Sequence, residues 1–329
     1  MATIRDVAKK AGVSVATVSR VMNESGYVSE DTRKKVKDAI NKLNYKPNEV
    51  ARSLFKRESR LIGLLLPDIT NPYFPLLARG IEDEIHKQGF RVILGNSDED
   101  MKKEINYIST FIQNNVVGII STTNDPEHPN YQNLQIPVVF LDRISEKQPS
   151  VHADGITGGR IAAEEMIRRG STEIVLMKGP AHIRPAQERF QGAFQFLQEK
   201  NIDFHVMHTS SFSFREAQQW AEDLFKTYPQ TDGVIASNDI VATAVLHEAL
   251  RLGKAIPEQL QIIGFDDIPQ SSLLYPALST IRQPAYEMGQ QAAKLLCALI
   301  NKKKIEEKII KMPVTFIERN TTRKVDTYG

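Results

Sequence analysis

The chain has 329 residues, of which 41% are hydrophobic and 25% are charged, which is enough apolar content for two or three packed lobes. The single cysteine, Cys297, excludes an internal disulfide framework and fits a reducing cytosol. There is no charged-then-apolar signal pattern at the N-terminus and the longest apolar runs are strand-length, so we expect a soluble, cytoplasmic protein without membrane contact.

Charge is distributed unevenly along the chain. Residues 1 to 60 hold 14 Lys and Arg against 7 Asp and Glu, whereas the rest of the chain holds 28 against 33. A small basic segment followed by a mildly acidic body indicates a polyanionic partner for the basic segment. The alternative is a solvated basic face with no partner.

Two short helices are predicted at the start of the chain. Apolar residues recur at i, i+3, i+4 and i+7 over residues 4 to 11, which is the spacing of an amphipathic helix. Gly12 is expected to end this helix because glycine tolerates the left-handed conformation. Ser14 can cap a second helix that runs from Val15 to about Asn23.

A third helix is predicted after a break at Gly26. Ser29 can cap this helix, and apolar residues repeat the one-face spacing over residues 36 to 43. The first two helices and their glycine turn make a helix-turn-helix, whose second helix lies in the DNA major groove in proteins that use this motif.

The polar face of the second predicted helix carries no acid. Arg20 can donate two hydrogen bonds to a guanine, and Val15 and Ala16 can contact a thymine methyl group. The residues suited to phosphate oxygens are Thr17, Ser19 and Asn23. This face therefore predicts DNA recognition, with a three-helix protein-binding module as the alternative.

A short basic helix is predicted next, over residues 48 to 57. Pro47 is expected to stop the third helix, and Asn48 can cap the new one. A helix of this length is marginal in water, so its apolar face must find a partner. Leu54 could insert between base steps and kink the duplex. A linker helix packed on the body is the alternative.

The run TIRDVAKKAGVSVATVSRVMN, followed by VSEDTRKKV and LNYKPNEVARSL, resembles the DNA-binding head of the lactose/galactose repressor family. The resemblance implies a head over residues 1–47, a hinge over 48–57 and a body over 58–329, acting as a homodimer on near-palindromic operator DNA. It implies base-reading roles for Val15, Ala16 and Arg20, and it places Leu54 in the minor groove. The remaining DNA-binding positions expected on this basis are Thr3, Ser14, Thr17, Ser19, Asn23, Tyr45, Asn48 and Ala51.

Strand and helix patterns alternate from residue 61 onward. The strand candidates are RLIGLLLPD, FRVILGNSD, VVGIIST, IPVVFLD, TEIVLMKG, DGVIASND, LQIIGFDD and a final strand within KIIKMPVTFIERNTT. Helical patterns follow the first two strands, to about Lys87 and about Gln113. Continuous β-branched runs between amphipathic helices indicate parallel sheets covered on both faces. About nine strands are too many for one sheet, so we expect an α/β body of two doubly wound lobes.

Several chemistries lack a candidate in the body. DITNPYF, which follows the first strand, is not the GxGxxG of a dinucleotide site. There is no HExxH or GxSxG motif and no Cys/His cluster, so we expect no metal, cofactor or catalytic residue.

Polar residues lie where the predicted strands end, and ligands of open parallel sheets bind at these ends. The charged candidates are Asp142, Arg143, Asp239 and Asp266; the amides are Asn71, Asn238 and Gln283; the aromatic residues are Tyr73, Phe74 and Phe265. Carboxylates and amides suit vicinal hydroxyls, and aromatic rings suit the apolar faces of a sugar. An acid-rich set disfavours a phosphorylated ligand. Alternatively, acids such as Asp239 and Asp267 simply cap helices.

The segments NPYF, FLDR, ERFQGAF, SND, GFDD and IRQP are similar to the ribose-binding members of the periplasmic sugar-binding fold. The resemblance implies a pocket of Asn71, Tyr73, Phe74, Asp142, Arg143, Arg189, Asn238, Phe265, Asp266 and Gln283. Tyr73 departs from the phenylalanine expected there and adds a hydroxyl. The resemblance also implies three crossings between lobes, near residues 160, 290 and 320. The N-lobe would hold about 58–160 and 290–320, and the C-lobe about 161–289 and 321–329.

These observations together predict a repressor of a sugar-utilisation operon, with a pentose, expected to be D-ribose, as its effector. A purine corepressor or a phosphorylated carrier protein as effector are the alternatives within the family. A hydrolase acting on the same sugar would need paired carboxylates in a reactive geometry, and it would leave the basic head without a role.

Overall fold

The computed structural model describes residues 2–45, 59–145 and 147–325. The chain divides into two units, Met1–Ser59 and Arg60–Gly329, which we call the head and the body. The predicted hinge over residues 48–57, with Asn48, Ala51 and Leu54, lies outside the described residues.

Three helices form the described part of the head: α1 (Ile4–Ala11), α2 (Val15–Asn23) and α3 (Glu30–Lys42). The local predictions are confirmed: Gly12 ends α1 with a φ of 67°, and Ser14 caps α2. The third helix ends at Lys42, well before Pro47. The buried core residues of the head are Val7, Ala8, Val18, Val21, Val36 and Ala39.

Two six-stranded sheets form the body, one in each lobe. The prediction of two lobes is confirmed, with twelve strands in place of the expected nine or so. The first sheet has the order β11 (Ile309–Met312), β5 (Ser150–Ala153), β4 (Val138–Leu141), β3 (Ile119–Ser121), β1 (Leu61–Leu66) and β2 (Arg91–Asn96), and it is entirely parallel. The second sheet has the order β12 (Thr315–Ile317), β10 (Ser279–Arg282), β9 (Gln261–Asp266), β8 (Gly233–Ile235), β6 (Ile174–Lys178) and β7 (Phe204–His208). Its pairs are parallel except for β10 with β12.

Helices cover both faces of each sheet. In the first lobe these are α4 (Tyr73–Lys87), α5 (Met101–Gln113), α6 (Pro129–Gln132) and α11 (Ala285–Ile300). In the second lobe these are α7 (Gly155–Arg168), α8 (Arg184–Glu199), α9 (Phe214–Thr227) and α10 (Asp239–Arg251), with a short 3-10 helix at Pro269–Ser272. Within the described residues, no helix is long and apolar enough to cross a membrane.

The crossings between the lobes lie earlier than the predicted residues 160, 290 and 320. The chain leaves the first sheet after Ala153, returns after Arg282 and leaves again after Met312. Each crossing follows directly from the end of a strand, so α7 and α11 belong entirely to the lobe that they enter. The predicted N-lobe segment 290–320 therefore begins too late and extends too far.

The final strand prediction is also wrong in one respect. KIIKMPVTFIERNTT contains two strands, β11 and β12, which belong to different sheets. Pro313 lies between them and has no N–H to donate to a ladder, so one continuous strand is disfavoured there. The seven other quoted strands are confirmed, whereas β5, β7 and β10 were not among them.

Glycine contacts bring two helices close together in each lobe. A Cβ added to Gly80 of α4 would lie 2.0 Å from the carbonyl oxygen of Tyr286 in α11, and one added to Gly289 of α11 would lie 2.2 Å from that of Leu77. In the second lobe, Cβ atoms on Gly159 of α7 and Gly192 of α8 would meet the carbonyl oxygens of the facing helix at 1.8 and 1.9 Å. Both lobes thus depend on direct backbone contact between two helices.

Gly80→Ala is expected to destabilise the body by about 1–3 kcal/mol, because the added methyl group must push α4 and α11 apart. The free energy of unfolding in urea, followed by circular dichroism, measures this. Glu164→Ala at an exposed helical position of α7 serves as the control and should change little. An unchanged urea midpoint for Gly80→Ala would contradict the tight helix contact.

Candidate DNA-binding surface and effector cleft

The N-terminal ends of α1 and α2 are fixed by side-chain caps. Thr3 and Asp6 form a capping box: the Asp6 N–H donates to the Thr3 hydroxyl at 3.3 Å, and the Thr3 N–H donates to the Asp6 carboxylate at 2.8 Å. The Thr3 hydroxyl also donates to the Asp6 carboxylate at 2.7 Å, and this bond, together with that from the Thr3 N–H, holds the pKa of Asp6 below its ordinary value. The Ser14 hydroxyl accepts from the Thr17 N–H at 3.1 Å. Thr3 and Ser14 therefore have structural roles besides their predicted DNA contacts.

The predicted recognition face of α2 is open to solvent. Val15, Ala16, Arg20 and Asn23 are exposed, although Val15 is apolar. Thr17 and Ser19 are half-buried. Two side chains of this face are hydrogen-bonded to each other: the Asn23 amide donates to the Ser19 hydroxyl at 3.2 Å. The face thus presents one guanidinium and small residues, as base reading in a groove requires.

Tyr45 lies at the end of the described head. It is half-buried and packs against the core of the three helices, and its N–H donates to the carbonyl of Ile40 at 3.0 Å. Only its remaining exposed part could reach DNA. The DNA-binding roles of all these residues stay predictions.

The ten predicted effector residues lie at the carboxyl ends of strands or on the helix start that faces them. The first lobe contributes Asn71, Tyr73, Phe74, Asp142 and Arg143, which follow β1 and β4. The second lobe contributes Arg189 of α8 together with Asn238, Phe265, Asp266 and Gln283, which lie at or after the ends of β8, β9 and β10. All ten are at most 9% exposed, so the cleft between the lobes is closed.

In the first lobe, a tyrosine and an arginine organise the site. The Tyr73 hydroxyl donates to Asp142 Oδ1 at 3.0 Å. Arg143 Nη1 donates to the carbonyl of Thr122 at 2.6 Å, and its Nη2 donates to Glu99 at 3.1 Å. Burial raises the pKa of Asp142 and raises the pKa of Tyr73 well above its ordinary value.

In the second lobe, Arg189 and Asp266 form a buried pair. Arg189 Nη1 donates to the carbonyl of Ser237 at 2.8 Å and lies 3.4 Å from Asp266 Oδ1. The Gln283 amide donates to the same Asp266 oxygen at 2.7 Å. The Arg189 guanidinium also stacks 4.1 Å from the centre of the Phe265 ring. Burial raises the pKa of Asp266 to about 7, although Arg189 opposes this rise.

The two halves act on each other electrostatically. Across the cleft, Asp266 adds to the rise in the pKa of Tyr73 and Arg189 opposes it. Arg189 likewise opposes the rise in the pKa of Asp142 that burial causes. Asp142 and Asp266 have φ angles of 69° and 120°, a region that residues other than glycine rarely adopt. Such strain at two facing strand ends is typical of a functional site.

Two buried N–H donors of the predicted effector residues have no hydrogen-bond partner among the described residues. They are Arg143 Nε and Asn238 Nδ2. The Asn238 carbonyl oxygen is already used as the cap of α10, where it accepts from the Val241 N–H at 2.9 Å. Unpaired buried donors cost free energy, and a ligand oxygen could satisfy both.

Sequence reasoning missed three residues that complete the cleft. Ser237 and Thr122 supply the carbonyls that hold the two arginines, and the Ser237 hydroxyl is buried without a partner in the described residues. The half-buried Phe212 ring lies 5.9 Å from the Arg189 guanidinium. The run SFSF ahead of α9 was the only sequence feature that could have indicated Phe212.

Asp239 is not a ligand candidate, contrary to one expectation. Its carboxylate accepts from the Ile268 N–H at 2.9 Å and from the hydroxyls of Ser271 and Thr280 at 2.6 and 2.5 Å. Asp267 is paired with Arg282 and Arg319, each at 2.6 Å. Both acids thus connect the loops around β9 and β10 through their hydrogen bonds and ion pairs. The alternative that Asp239 caps a helix is also wrong, because the cap of α10 is Asn238. Within the described residues, no group of three or more His, Cys, Asp or Glu side chains could hold a metal ion.

Comparisons with known proteins agree with this geometry. Residues 3–48 match the family of bacterial regulatory proteins, lacI family, and residues 163–322 match the periplasmic binding protein-like domain. The ribose operon repressor of Bacillus subtilis is 61% identical over 326 residues, which cover 99% of this chain and 100% of that protein.

Two solved structures are similar over long stretches. A lac repressor dimer bound to operator and an anti-inducer matches with a TM-score of 0.88 and 26% identity, over 97% of this chain and 98% of the other. A regulator from Enterococcus faecium with bound ribose matches with a TM-score of 0.73 and 32% identity, over 80% of this chain and 98% of the other. The chain is thus a two-domain regulator with a helix-turn-helix head and a periplasmic-binding-like body. It belongs to the lacI family of bacterial regulatory proteins.

Asp266→Asn is expected to change how stability depends on pH. The pKa of Asp266 is about 7 in the folded chain and 3.8 ordinarily, so the folded form keeps a proton that the unfolded form releases. This contribution is fully present below the ordinary pKa and is lost as the pH rises through about 7. The free energy of unfolding of the wild type minus that of the variant should fall by on the order of 1 kcal/mol per pH unit in this window.

Urea unfolding at about pH 5, 6, 7 and 8 measures this difference. Asp203→Asn, at an exposed position, is the control and should give curves parallel to those of the wild type. Parallel curves for Asp266→Asn as well would show that Asp266 titrates normally.

Proposed function

We propose that the chain is a cytoplasmic, homodimeric repressor of a ribose-utilisation operon, and that D-ribose in the cleft controls its binding to operator DNA. The observation that carries this proposal is the closed cleft with its opposed Asp142–Arg143 and Arg189–Asp266 groups. The names of the similar proteins support the same effector and the same type of target.

The polar groups of the cleft suit a small polyol. Arg143 Nε and Asn238 Nδ2 offer donors, while Asp142 and Asp266 offer acceptors. The buried Phe74 and Phe265 supply apolar surface for the C–H faces of a sugar ring. Three carboxylates, those of Asp142, Asp266 and Glu99, lie beside the two guanidinium groups, so there is no excess positive charge for a phosphate ester.

We infer that the cleft binds its ligand without transforming it. Asp142 is bonded to Tyr73, and Asp266 is bonded to Arg189 and Gln283. A glycosidase needs one carboxyl group that is free to protonate a leaving oxygen and a second one that activates a nucleophile. Ligand binding instead gives the head a role, because it can change the affinity for DNA.

Sugar binding and operator binding are expected to oppose each other. If ribose favours a closed body that holds the heads away from DNA, operator DNA must weaken ribose binding by the same factor. The coupling should be about 1–3 kcal/mol.

Calorimetric titration with D-ribose is the direct test, with glucose and hypoxanthine as controls. Saturable heat from ribose alone, together with loss of operator affinity in a fluorescence anisotropy titration, is the expected result. Heat from hypoxanthine instead would favour a purine corepressor. No heat from any of the three would overturn the ribose assignment and favour a phosphorylated carrier protein.

Variants separate the two sites within this test. Arg20→Gln should cost roughly 1–3 kcal/mol of operator binding and relax the choice at one base pair, with ribose binding unchanged. Arg189→Gln should leave operator binding intact and abolish the response to ribose, because it leaves Asp266 buried and uncompensated. The same phenotype from both variants would contradict the division between head and cleft.

A homodimer is supported by apolar side chains that remain exposed in the second lobe. Leu273 and Tyr275, after the 3-10 helix, are 82% and 94% exposed, although Leu274 between them packs against the core. Leu252 at the end of α10 is also exposed. Adjacent exposed apolar side chains, such as those of Leu273 and Tyr275, form the kind of apolar surface that marks a protein–protein interface. Two copies are also what a near-palindromic operator requires.

The double variant Leu273→Glu/Tyr275→Glu is expected to sediment as a monomer at concentrations where the wild type is a dimer. Removing each anchor should cost roughly 2 kcal/mol or more of dimerisation free energy. Ile112→Glu is the matched control, because Ile112 is an exposed apolar residue of α5 in the other lobe. A double variant that remains dimeric would place the interface elsewhere.

A further inference from the structure

Glu99 is shared between the two lobes. It lies in the loop between β2 and α5, and its Oε1 accepts from Arg143 Nη2 of the same lobe at 3.1 Å. Its other oxygen, Oε2, lies 3.1 Å from Nε2 of His182, which follows β6 in the second lobe. The Glu99 carboxylate therefore contacts Arg143 in its own lobe and His182 in the second lobe.

The loop around Glu99 is constrained. Asp98 and Glu99 have φ angles of 52° and 57°, which are unfavourable for residues other than glycine. The Ser97 N–H donates to the carbonyl of Leu66 at 2.8 Å, and Asp98 is held by Asn96 and Lys103. Such strain persists where surrounding contacts impose it, and it is concentrated at functional sites.

Glu99 also determines what Arg143 can offer a ligand. The guanidinium is 4% exposed and is held by Glu99 on one side and by the Thr122 carbonyl on the other. Its Nε is buried without a partner among the described residues. With both terminal nitrogens held in this way, the orientation of the guanidinium is fixed, and Nε is its one nitrogen that makes no hydrogen bond within the described residues and can donate to an effector oxygen.

We propose that Glu99 is a positioning residue that links effector binding to lobe closure. It orients Arg143 for the effector, and through His182 it stabilises the closed cleft. The inference rests on the proposed function, since it assumes that the cleft holds the effector. Because Glu99 and His182 approach each other only across the cleft, their bond exists only in the closed form. Effector contact at Arg143 and closure thus depend on the same carboxylate.

A double-mutant cycle on the full chain tests the link, with D-ribose affinity measured by calorimetry. His182→Gln should weaken ribose binding roughly two- to five-fold, as expected for a pair at an exposed rim. Glu99→Gln should weaken it roughly ten-fold or more, since a charge-assisted bond to the buried Arg143 is also lost. Combining the two should give less than the product of the single effects.

Two further measurements separate positioning from a general structural role. Arg160→Gln removes an ion pair with Glu199 that is similarly exposed but lies within the second lobe, and it should leave ribose affinity unchanged. Small-angle scattering should show compaction of the wild type when ribose is added and a reduced change in Glu99→Gln. Operator affinity without ribose should be unchanged in Arg160→Gln and no weaker than that of the wild type in Glu99→Gln and His182→Gln, because losing their bond disfavours only the closed form.

The outcomes distinguish the inference from the function on which it rests. Ribose binding by Glu99→Gln and His182→Gln that equals that of the wild type would overturn the inference alone. Multiplicative effects in the double variant would also overturn it, because the two residues would then act independently. No ribose binding by the wild type would overturn the proposed effector and the inference together.

Discussion

Charge buried at the facing ends of two parallel sheets is the constraint on which the body depends. Removing a charge from water costs several kcal/mol unless partners replace the solvent. Arg189 and Asp266 meet this requirement together, whereas Arg143 depends on a backbone carbonyl and on Glu99. The compensation is incomplete, because Arg143 Nε and Asn238 Nδ2 have no partner in the described residues. These two donors can still bond to a ligand, and such unused donors distinguish a binding site from a network that only stabilises the fold.

Rigid lobes are what make such a site precise. In each lobe, two helices meet at paired glycines, so their backbones approach more closely than any side chain would allow. The carbonyl oxygens of Tyr286 and Arg189 occupy the space that a Cβ would need at the facing glycine. A shift of either helix along its partner would bring larger side chains against these carbonyls, so each helix pair is fixed in register. The lobes are joined by three short crossings near residues 154, 284 and 313. Closure by rotation about such crossings preserves the geometry within each half of the cleft.

The sequence predicts best what depends on neighbouring residues. The end of α1 and the start of α2 are those expected from Gly12 and Ser14, because a glycine end and a serine cap act within one turn. Long β-branched runs likewise predicted seven strands. The short β5 and β10 escaped prediction because they are defined by the strands beside them. The division of the final segment into β11 and β12 depends on partners about 35 to 160 residues away in the chain, which local patterns do not contain.

The same limit applies to the cleft. The order of strands and helices was enough to predict that nine of the ten residues lie together, since the carboxyl ends of parallel strands share one edge of a sheet. Arg189, which lies on a helix, was predicted only from the resemblance. The strand ends alone did not separate Asp266 from Asp239, since Asp266 ends a strand and Asp239 begins the helix that follows one. Only the resemblance to ribose-binding proteins included Asp266 and left out Asp239. Only the hydroxyls of Ser271 and Thr280, distant in sequence, show that Asp239 is already satisfied. The role of Glu99 was not predicted either, because it depends on a contact with His182, which is distant in sequence and lies in the other lobe. Strand ends therefore indicate where a ligand binds, whereas the hydrogen bonds still unmade determine which groups can bind it.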